Sequence, residues 1–277
     1  MIDVSHPEVW NAVERALAED IGTGDVTSQL TVPEDLQAFG AFKAKQDLVL
    51  AGVELLPVIY SMRGGANIQS THNSGEKISV GDTIANVSAT ARILLECERV
   101  ALNFLQRLSG IATLTRAYVD RVSGTSAKVL DTRKTTPGMR KLEKMAVQAG
   151  GGTNHRAGLF DAVLIKNNHI AAAGGVRRAF QRAESFPGPK EIEVRSKSEL
   201  HDALDCGARR LLLDNLTPLE AAAWIREING RATVELSGGI TLESIRAYAE
   251  TGADFISCGA LTHSATAVDI SFQLELV

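Results

Sequence analysis

The sequence predicts an α/β protein in two parts, with antiparallel strands before about residue 110 and a parallel sheet beyond it. Three observations carry this reading. Beyond residue 125, six short runs rich in Val, Ile and Leu occur: KVLD (128–131), AVLI (162–165), EIEV (191–194), LLLD (211–214), TVEL (233–236) and DFIS (254–257). Helical patterns fill the gaps, for example 198–205, 218–228 and 242–251, and strands alternating with helices make parallel βα units. The last four runs begin 20, 22 and 21 residues apart, a tight repeat of such units. Over 39–87, by contrast, short apolar runs are separated by Gly64-Gly65, Ser74-Gly75 and Gly81-Asp82, which suits antiparallel strands. Six βα units point to a small or incomplete α/β barrel, with an open doubly wound sheet as the alternative.

The elements follow in order. Ser5 and Glu8 make a capping box, and Pro7 suits the first turn of a helix. Val9, Trp10, Val13, Ala16 and Leu17 then recur at helical spacing. One further helix is expected near 52–62, among the strands. Residues 91–123 read as a long helical stretch broken near Ser109-Gly110, where the domain boundary is placed. The first domain is then 1–110 and the second 111–268, with the tail 269–277 packing back on the first.

Composition narrows the class. The 277 residues carry 29 Lys+Arg against 33 Asp+Glu, a net charge of −4, with 44% apolar and 22% charged residues. These are values of an ordinary globular chain, against disorder, collagen or coiled coil. The acidic balance argues against a nucleic-acid partner, so an anionic ligand has to be gripped by a local cluster of positive charge. Cys97, Cys206 and Cys258 are widely spaced, with no CxxC pair, so neither a disulfide framework nor a thiolate zinc site is indicated. The start lacks signal-peptide regions, and no run approaches the roughly 20 apolar residues of a membrane span. The expectation is a cytoplasmic protein without a membrane partner.

Chemistry concentrates after each predicted strand. The six runs lead into Asp131-Thr132-Arg133-Lys134, Lys166-Asn167-Asn168-His169, Glu193, Asp214-Asn215, Ser237-Gly238-Gly239 and Ser257-Cys258-Gly259. In α/β barrels the carboxyl ends of the strands carry the active site. Arg133, Lys134, Arg140, Lys141, His155, Arg156 and Lys166 gather in the first two units. Arg140, Lys141 and Lys144 read as the solvated face of a helix opened by Pro137. Arg133, Lys134 and Lys166 follow apolar strands directly and suit a substrate with several anionic groups. The glycines of SGGI and SCGA each follow a strand and precede a helix, with Thr241 and Thr262 as caps, a phosphate-binding arrangement. His263 adds a candidate donor there.

Glu191 and Glu193 share one side of their strand. Glu193 and Asp214 are then placed to face a developing positive charge or to bind Mg²⁺ beside a diphosphate, the blander alternative for Glu193 being an ion pair with Lys166 or Lys134. A Schiff base on Lys166 is a rival chemistry that requires an apolar pocket. Cys258 reads as a small buried residue rather than a nucleophile.

The block DTRKTTPGMRKLEKMAVQAGGGTNHRAGLFDAVLIKNNH (131–169) resembles the signature of the quinolinate phosphoribosyltransferase family. EDIGTGDVTS (19–28), ERVALNFLQRLSGIAT (98–113), LLLDN (211–215), ELSGGI (235–240) and GALTHS (259–264) follow in the family's order, so the likeness runs nearly end to end. The resemblance implies an N-terminal α/β sandwich domain, a C-terminal open α/β barrel, and transfer of phosphoribose from phosphoribosyl pyrophosphate to quinolinate. Nicotinate mononucleotide, pyrophosphate and CO₂ are the products, with Mg²⁺ as cofactor. It also implies a homodimer, or a hexamer of such dimers, with Arg99 reaching the partner's site. Arg133, His155, Arg156 and Lys166 would hold the two quinolinate carboxylates; Lys134, Glu193 and Asp214 would surround the ribose, the pyrophosphate and the metal. Ser237, Gly238, Gly239, Gly259 and His263 would hold the 5′-phosphate, with Thr132, Cys258 and Ala260 also at substrate-binding positions. Met139 stands where the family more commonly has Leu, and Asn167 where it often has Asp. A molybdenum-transport-associated relative of the same fold remains an alternative, which the pyridine-dicarboxylate set opposes.

Overall fold

The computed structural model describes residues 3–276. In chain order, α1 (Pro7–Ile21) and α2 (Val26–Thr31) precede β1 (Gln37–Ala44), β2 (Leu48–Val49), α3 (Leu55–Ser61), β3 (Asn67–Ser70), β4 (Lys77–Ile78) and β5 (Thr83–Thr90). Then come α4 (Ala91–Val122), β6 (Lys128–Leu130), α5 (Arg140–Ala149), β7 (Val163–Ile165), α6 (Asn167–Ala173) and α7 (Val176–Ala183). The chain continues with β8 (Lys190–Val194), α8 (Lys197–Asp205), β9 (Arg210–Asp214), α9 (Pro218–Ile228) and β10 (Thr233–Ser237). It ends with α10 (Ile245–Ala249), β11 (Phe255–Ser257), α11 (Ala260–His263) and β12 (Ile270–Leu276). No helix among the described residues is long and apolar enough to cross a membrane.

Two compact units result, and they are not simple halves of the chain. The first holds residues up to Arg116, Thr135–Gly151 and everything from Leu261 onward; the second holds Ala117–Lys134 and Gly152–Ala260.

In the first unit an antiparallel sheet runs β12-β1-β5-β3. The chain's last strand pairs with its first, Phe42 opposite Phe272, their ring centroids 4.7 Å apart. Pro7 occupies the first turn of α1, so the N-cap falls on His6, whose Nδ1 accepts the Glu8 N–H at 3.2 Å. The expected Ser5–Glu8 box is therefore displaced by one residue, and Ser5 turns to Asp3 instead. The break expected at Ser109-Gly110 is absent, since α4 runs unbroken for 32 residues. The small residues there serve close packing. The Ser109 hydroxyl accepts the Ala51 N–H at 3.0 Å, and a Cβ on Gly110 would lie 2.1 Å from the Thr266 carbonyl oxygen.

Helix α5 also departs from expectation. Lys144 is 4% exposed, and Arg140 and Lys141 are half-buried, so this is no solvated face. Its neighbour Glu143 is fully buried. Arg107 grips the Glu143 carboxylate at 2.9 Å and donates to the carbonyls of Thr262 (2.6 Å) and Ala265 (2.7 Å). The Thr136 N–H and hydroxyl also donate to Glu143, at 3.1 and 2.8 Å. One ion pair thereby joins α4, α5, the segment after β6 and the turn after α11.

The second unit is a parallel sheet in the order β6-β11-β10-β9-β8-β7. All six strands lie within one residue of the sequence expectation. Strands consecutive from β7 to β11 are neighbours, while β6 attaches beyond β11, so β6 and β7 take opposite edges. Outside β6, Leu130 bridges Thr153 in parallel, carrying the next segment along that edge. The sheet curls into an open barrel: Glu191 of β8 and Glu235 of β10 both reach one nitrogen of His155, at 3.3 and 3.4 Å. Convergence of side chains from alternate strands is how barrel interiors are layered.

Removing one partner of a buried pair strands the other charge, at a cost of about 3–5 kcal/mol. Arg107→Ala is expected to lower the unfolding free energy by this amount in urea titrations. Arg107→Met combined with Glu143→Leu should recover most of it, and a single variant within about 1 kcal/mol of the parent would refute the assignment.

Candidate active site

β8 organises the site. Glu191, Ile192, Glu193 and Val194 are 5%, 0%, 2% and 0% exposed, so the strand is buried on both faces. Alternation puts Ile192 and Val194 on one face and both glutamates on the other. The register sets Glu193 beside Leu212, and Leu212 beside Glu235, so these residues share the barrel's inner face. Glu191 and Glu193 stand about 6.6 Å apart along the strand. An isolated buried carboxylate costs several kcal/mol, so each needs a cation or a proton.

The lower layer is closed. His155 Nε2 faces the carboxylates of Glu191 and Glu235, while its Nδ1 accepts the Arg156 N–H at 2.7 Å. The His155 N–H in turn donates to buried Asp131 at 2.8 Å. Burial opposes a charge on the ring, but hydrogen bonds to Glu191 and then Glu235 outweigh it and raise the imidazole to about 9. Burial likewise holds the Glu235 carboxyl above its ordinary range, against the hydrogen bond from His155. Three potential ligand atoms lie within 4.8 Å of one another here, yet the donor set does not suit a metal. In the neutral ring Nδ1 accepts and the proton sits on Nε2, and in the charged ring, favoured below about pH 9, both nitrogens carry protons, so in neither form does Nε2 offer the carboxylate side a lone pair. Both ring nitrogens are engaged, so His155 meets a substrate carboxylate only by giving up a contact. His155 and Arg156 also line a cavity of about 350 Å³ with Glu191, Arg210 and Phe255, whose strand positions lie toward the amino ends.

The upper layer is open. Lys166 Nζ lies 3.9 Å from Glu193 Oε2, and Lys166 is 51% exposed. That is not the apolar pocket a Schiff-base lysine requires. Its backbone N–H donates to His169 Nδ1 at 2.9 Å, which fixes the start of α6. Glu193 Oε1 accepts from Arg195 Nε at 2.8 Å and Nη2 at 2.7 Å, and Arg195 Nη2 lies 3.7 Å from Asp214 Oδ2. Asn215 donates to the same Asp214 oxygen at 2.7 Å. Lys166, Glu193, Arg195 and Asp214 thus form one charged cluster at the carboxyl ends of β7, β8 and β9. As oxygen donors to a divalent cation the two carboxylates differ. Both oxygens of Glu193 face protein cations, whereas Asp214 Oδ1 makes no hydrogen bond among the described residues.

The remaining expected residues take these positions. Thr132 Oγ1 accepts the Lys134 N–H at 3.1 Å; Arg133 is half-buried and Lys134 exposed, in the segment leaving β6. Ser237 ends β10 level with Asp214, and its carbonyl accepts the Asn215 N–H at 2.8 Å. Gly238 has φ +106°, and a Cβ there would sit 2.3 Å from Asn215 Oδ1, so only glycine lets these two loops meet. Gly239 follows at φ +60°. The helices after both glycine loops are short, five residues in α10 and four in α11. Thr241 lies in the turn that leads into α10, where its hydroxyl accepts the Ser244 N–H at 3.4 Å and its carbonyl the Ile245 N–H at 2.9 Å, whereas Thr262 lies inside α11 and is not the expected cap. Cys258 is buried, with its N–H on the Leu130 carbonyl at 2.9 Å. Burial, then the Glu235 charge, pushes its thiol up to about 12, so it is no nucleophile. Gly259 and Ala260 close the second unit, while Arg99 on α4 and His263 on α11 are exposed residues of the first unit.

Comparison with known proteins accords with this geometry. The quinolinate phosphoribosyl transferase C-terminal domain matches residues 111–273 and the N-terminal domain matches 25–109. The chain belongs to the quinolinate phosphoribosyltransferase family. It is 40% identical over 278 residues to the probable nicotinate-nucleotide pyrophosphorylase (carboxylating) of Bacillus subtilis, covering 99% of this chain and 96% of that protein. It is 40% identical to the chloroplastic nicotinate-nucleotide pyrophosphorylase (carboxylating) of Arabidopsis thaliana, over 98% of this chain and 84% of the relative. Among solved structures, NadC from Streptococcus pyogenes superposes with a TM-score of 0.93 at 37% identity, covering 98% and 97% of the two chains. The nicotinate-nucleotide pyrophosphorylase from Francisella tularensis gives 0.92 at 38% identity, covering 97% and 96%.

Against the family's expected set, the structure adds two polar residues that sequence reading left out of the site, Arg195 and Glu235, and gives contacts to Asp131 and His169, which stood at the strand ends without an assigned role. Arg195 had a visible signal, since it lies two residues beyond Glu193 on the same alternation. Glu235 had one too, in TVEL, where a glutamate interrupts an otherwise apolar strand. The His155 imidazole should titrate near pH 9 in NMR spectra of the intact protein. Glu235→Gln removes a negative neighbour and should move that midpoint downward. An unmoved midpoint, or an ordinary one in the parent, would contradict the contacts described.

Proposed function

We propose that this chain transfers phosphoribose from phosphoribosyl pyrophosphate to quinolinate and decarboxylates the product to nicotinate mononucleotide, a step of NAD biosynthesis. The observation that carries the reading is the upper charge layer: two carboxylates and two cations meet at the carboxyl end of a parallel barrel. A reaction that builds positive charge on ribose while releasing an anion calls for both signs side by side.

Arg133, Arg156 and Lys166, with His155 beneath them, hold the two carboxylates of the pyridine and aim its nitrogen. Arg99, exposed on α4, completes the site of a second copy, so the working unit is a homodimer, or a hexamer of such dimers, in the cytoplasm. The backbones of Ser237, Gly238, Gly239, Gly259 and Ala260 receive the 5′-phosphate, with Thr132, Cys258 and His263 beside the bound substrates; the short helices α10 and α11 add little dipole. As the C1′–oxygen bond to diphosphate breaks, Glu193 and Asp214 stabilise the oxocarbenium-like ribose, and Lys134 offsets the charge of the departing diphosphate. The pyridine nitrogen forms the new bond to C1′. The resulting quaternary ring accepts the electron pair of the adjacent carbon–carboxylate bond, CO₂ leaves, and a proton replaces it on carbon. Mg²⁺ supplies charge neutralisation of the diphosphate when bound; Asp214 Oδ1 suits it as a ligand, with Glu193 acting through its cations instead.

Purified protein with quinolinate, phosphoribosyl pyrophosphate and Mg²⁺ should yield nicotinate mononucleotide and equimolar CO₂ by mass spectrometry. No product from folded protein overturns the reading. Asp214→Ala should lower kcat by about 10²–10³ with little change in quinolinate affinity. An unchanged kcat removes Asp214 from the chemistry.

A further inference from the structure

We propose that Arg195 is a binding residue for the diphosphate of the phosphoribosyl donor, and that in the free protein it serves as the resident counter-ion of Glu193 and Asp214. The inference rests on the phosphoribosyl-transfer reading and extends it to a residue outside the expected set.

Geometry places Arg195 where such a group must be. It lies one residue beyond β8 and two after Glu193, and its backbone N–H is fixed by Glu199 Oε2 at 2.7 Å, with Ser196 capping α8. Only one edge of the guanidinium is used. Nε and Nη2 straddle Glu193 Oε1 at 2.8 and 2.7 Å, with Asp214 3.7 Å from Nη2. Nη1 makes no hydrogen bond among the described residues, and the side chain is 48% exposed at the carboxyl end of the barrel. A guanidinium with one edge on a carboxylate still presents a second planar edge, suited to two oxygens of a phosphate.

Charge and connectivity select the ligand. Glu193 and Asp214 carry −2 against +2 from Arg195 and Lys166, so the cluster is balanced before substrate arrives. Glu193 and Asp214 are the carboxylates assigned to the reacting carbon of ribose. The anion attached to that carbon is the diphosphate, whereas the 5′-phosphate lies across the sugar, at the loops after β10 and β11. Arg195, touching both carboxylates, is therefore next to the leaving group. When its second edge takes the diphosphate, the guanidinium bridges leaving group and carboxylates and keeps both aligned on the ribose.

The test uses the full-length protein with inorganic pyrophosphate and, separately, quinolinate as calorimetric probes, at constant Mg²⁺. Arg195→Gln should weaken pyrophosphate binding at least tenfold and raise KM for phosphoribosyl pyrophosphate similarly, with quinolinate affinity within twofold of the parent. Arg195→Lys should recover part of the loss, because a point charge replaces the fork. Unchanged pyrophosphate affinity in Arg195→Gln overturns the proposal. Equal losses of pyrophosphate and quinolinate binding also overturn it, since Arg195 would then only be holding Glu193 in place. If Arg195→Gln fails to fold, Arg195→Lys decides: pyrophosphate affinity weakened more than quinolinate affinity supports the proposal, and parental affinity for both overturns it. A parent protein that forms no nicotinate mononucleotide refutes the transfer reading itself, a result distinct from an active parent matched by an Arg195→Gln variant.

Discussion

Two glutamates buried two residues apart on the inner face of β8 impose the demand for positive charge that the rest of the second unit meets. A parallel strand covered on both faces normally carries an apolar run, and here alternate positions are carboxylates instead. Glu191 is answered from the loop beyond β6 by His155, a residue 36 positions earlier in the chain. Glu193 is answered by Lys166 just after β7 and by Arg195 just beyond its own strand. The composition of the site follows from this requirement, and His155, reaching β8 and β10 together, meets it for Glu191 and Glu235 at once.

The two layers divide the work by exposure. Around Glu191 the carboxylates of Asp131, Glu191 and Glu235 are buried, and the network that fixes His155 runs through Asp131, the Arg156 backbone and Glu235. Such buried networks favour one arrangement, here with Glu235 Oε2 held by its charge contact to His155 and no hydrogen bond among the described residues. Around Glu193 the cations are half exposed, and their carboxylate contacts are exchangeable for substrate oxygens. A rigid floor beneath an exchangeable rim is what charge development during glycosyl transfer requires, since preorganised groups need not reorient at the moment of reaction.

Much of this was legible in the residues. All six parallel strands were readable because each is a short β-branched or leucine run bounded by polar residues, and the residues at their carboxyl ends gave the rim directly. The first unit was less legible. Gly110 looked like a helix breaker, and only the approach of the Thr266 backbone shows why a glycine stands inside an unbroken helix. Lys144 looked solvent-facing by its position among Arg140 and Lys141, but α5 buries nearly its whole second turn. Pairings such as Arg107 with Glu143 join residues 36 apart, and no local pattern announces them. Arg195 illustrates a different loss: its alternation with Glu193 was visible, but its contact with Asp214 depends on the neighbouring strand.

A crystal structure with phosphoribosyl pyrophosphate and benzene-1,2-dicarboxylate, which has quinolinate's paired carboxylates but no nucleophilic nitrogen, tests the central claim most directly. The account predicts the diphosphate beside Arg195 and Asp214, and the dicarboxylate above His155 among Arg133, Arg156 and Lys166. Binding of either ligand in the cavity at the amino ends of the strands, with the Glu193 cluster left untouched, would contradict it.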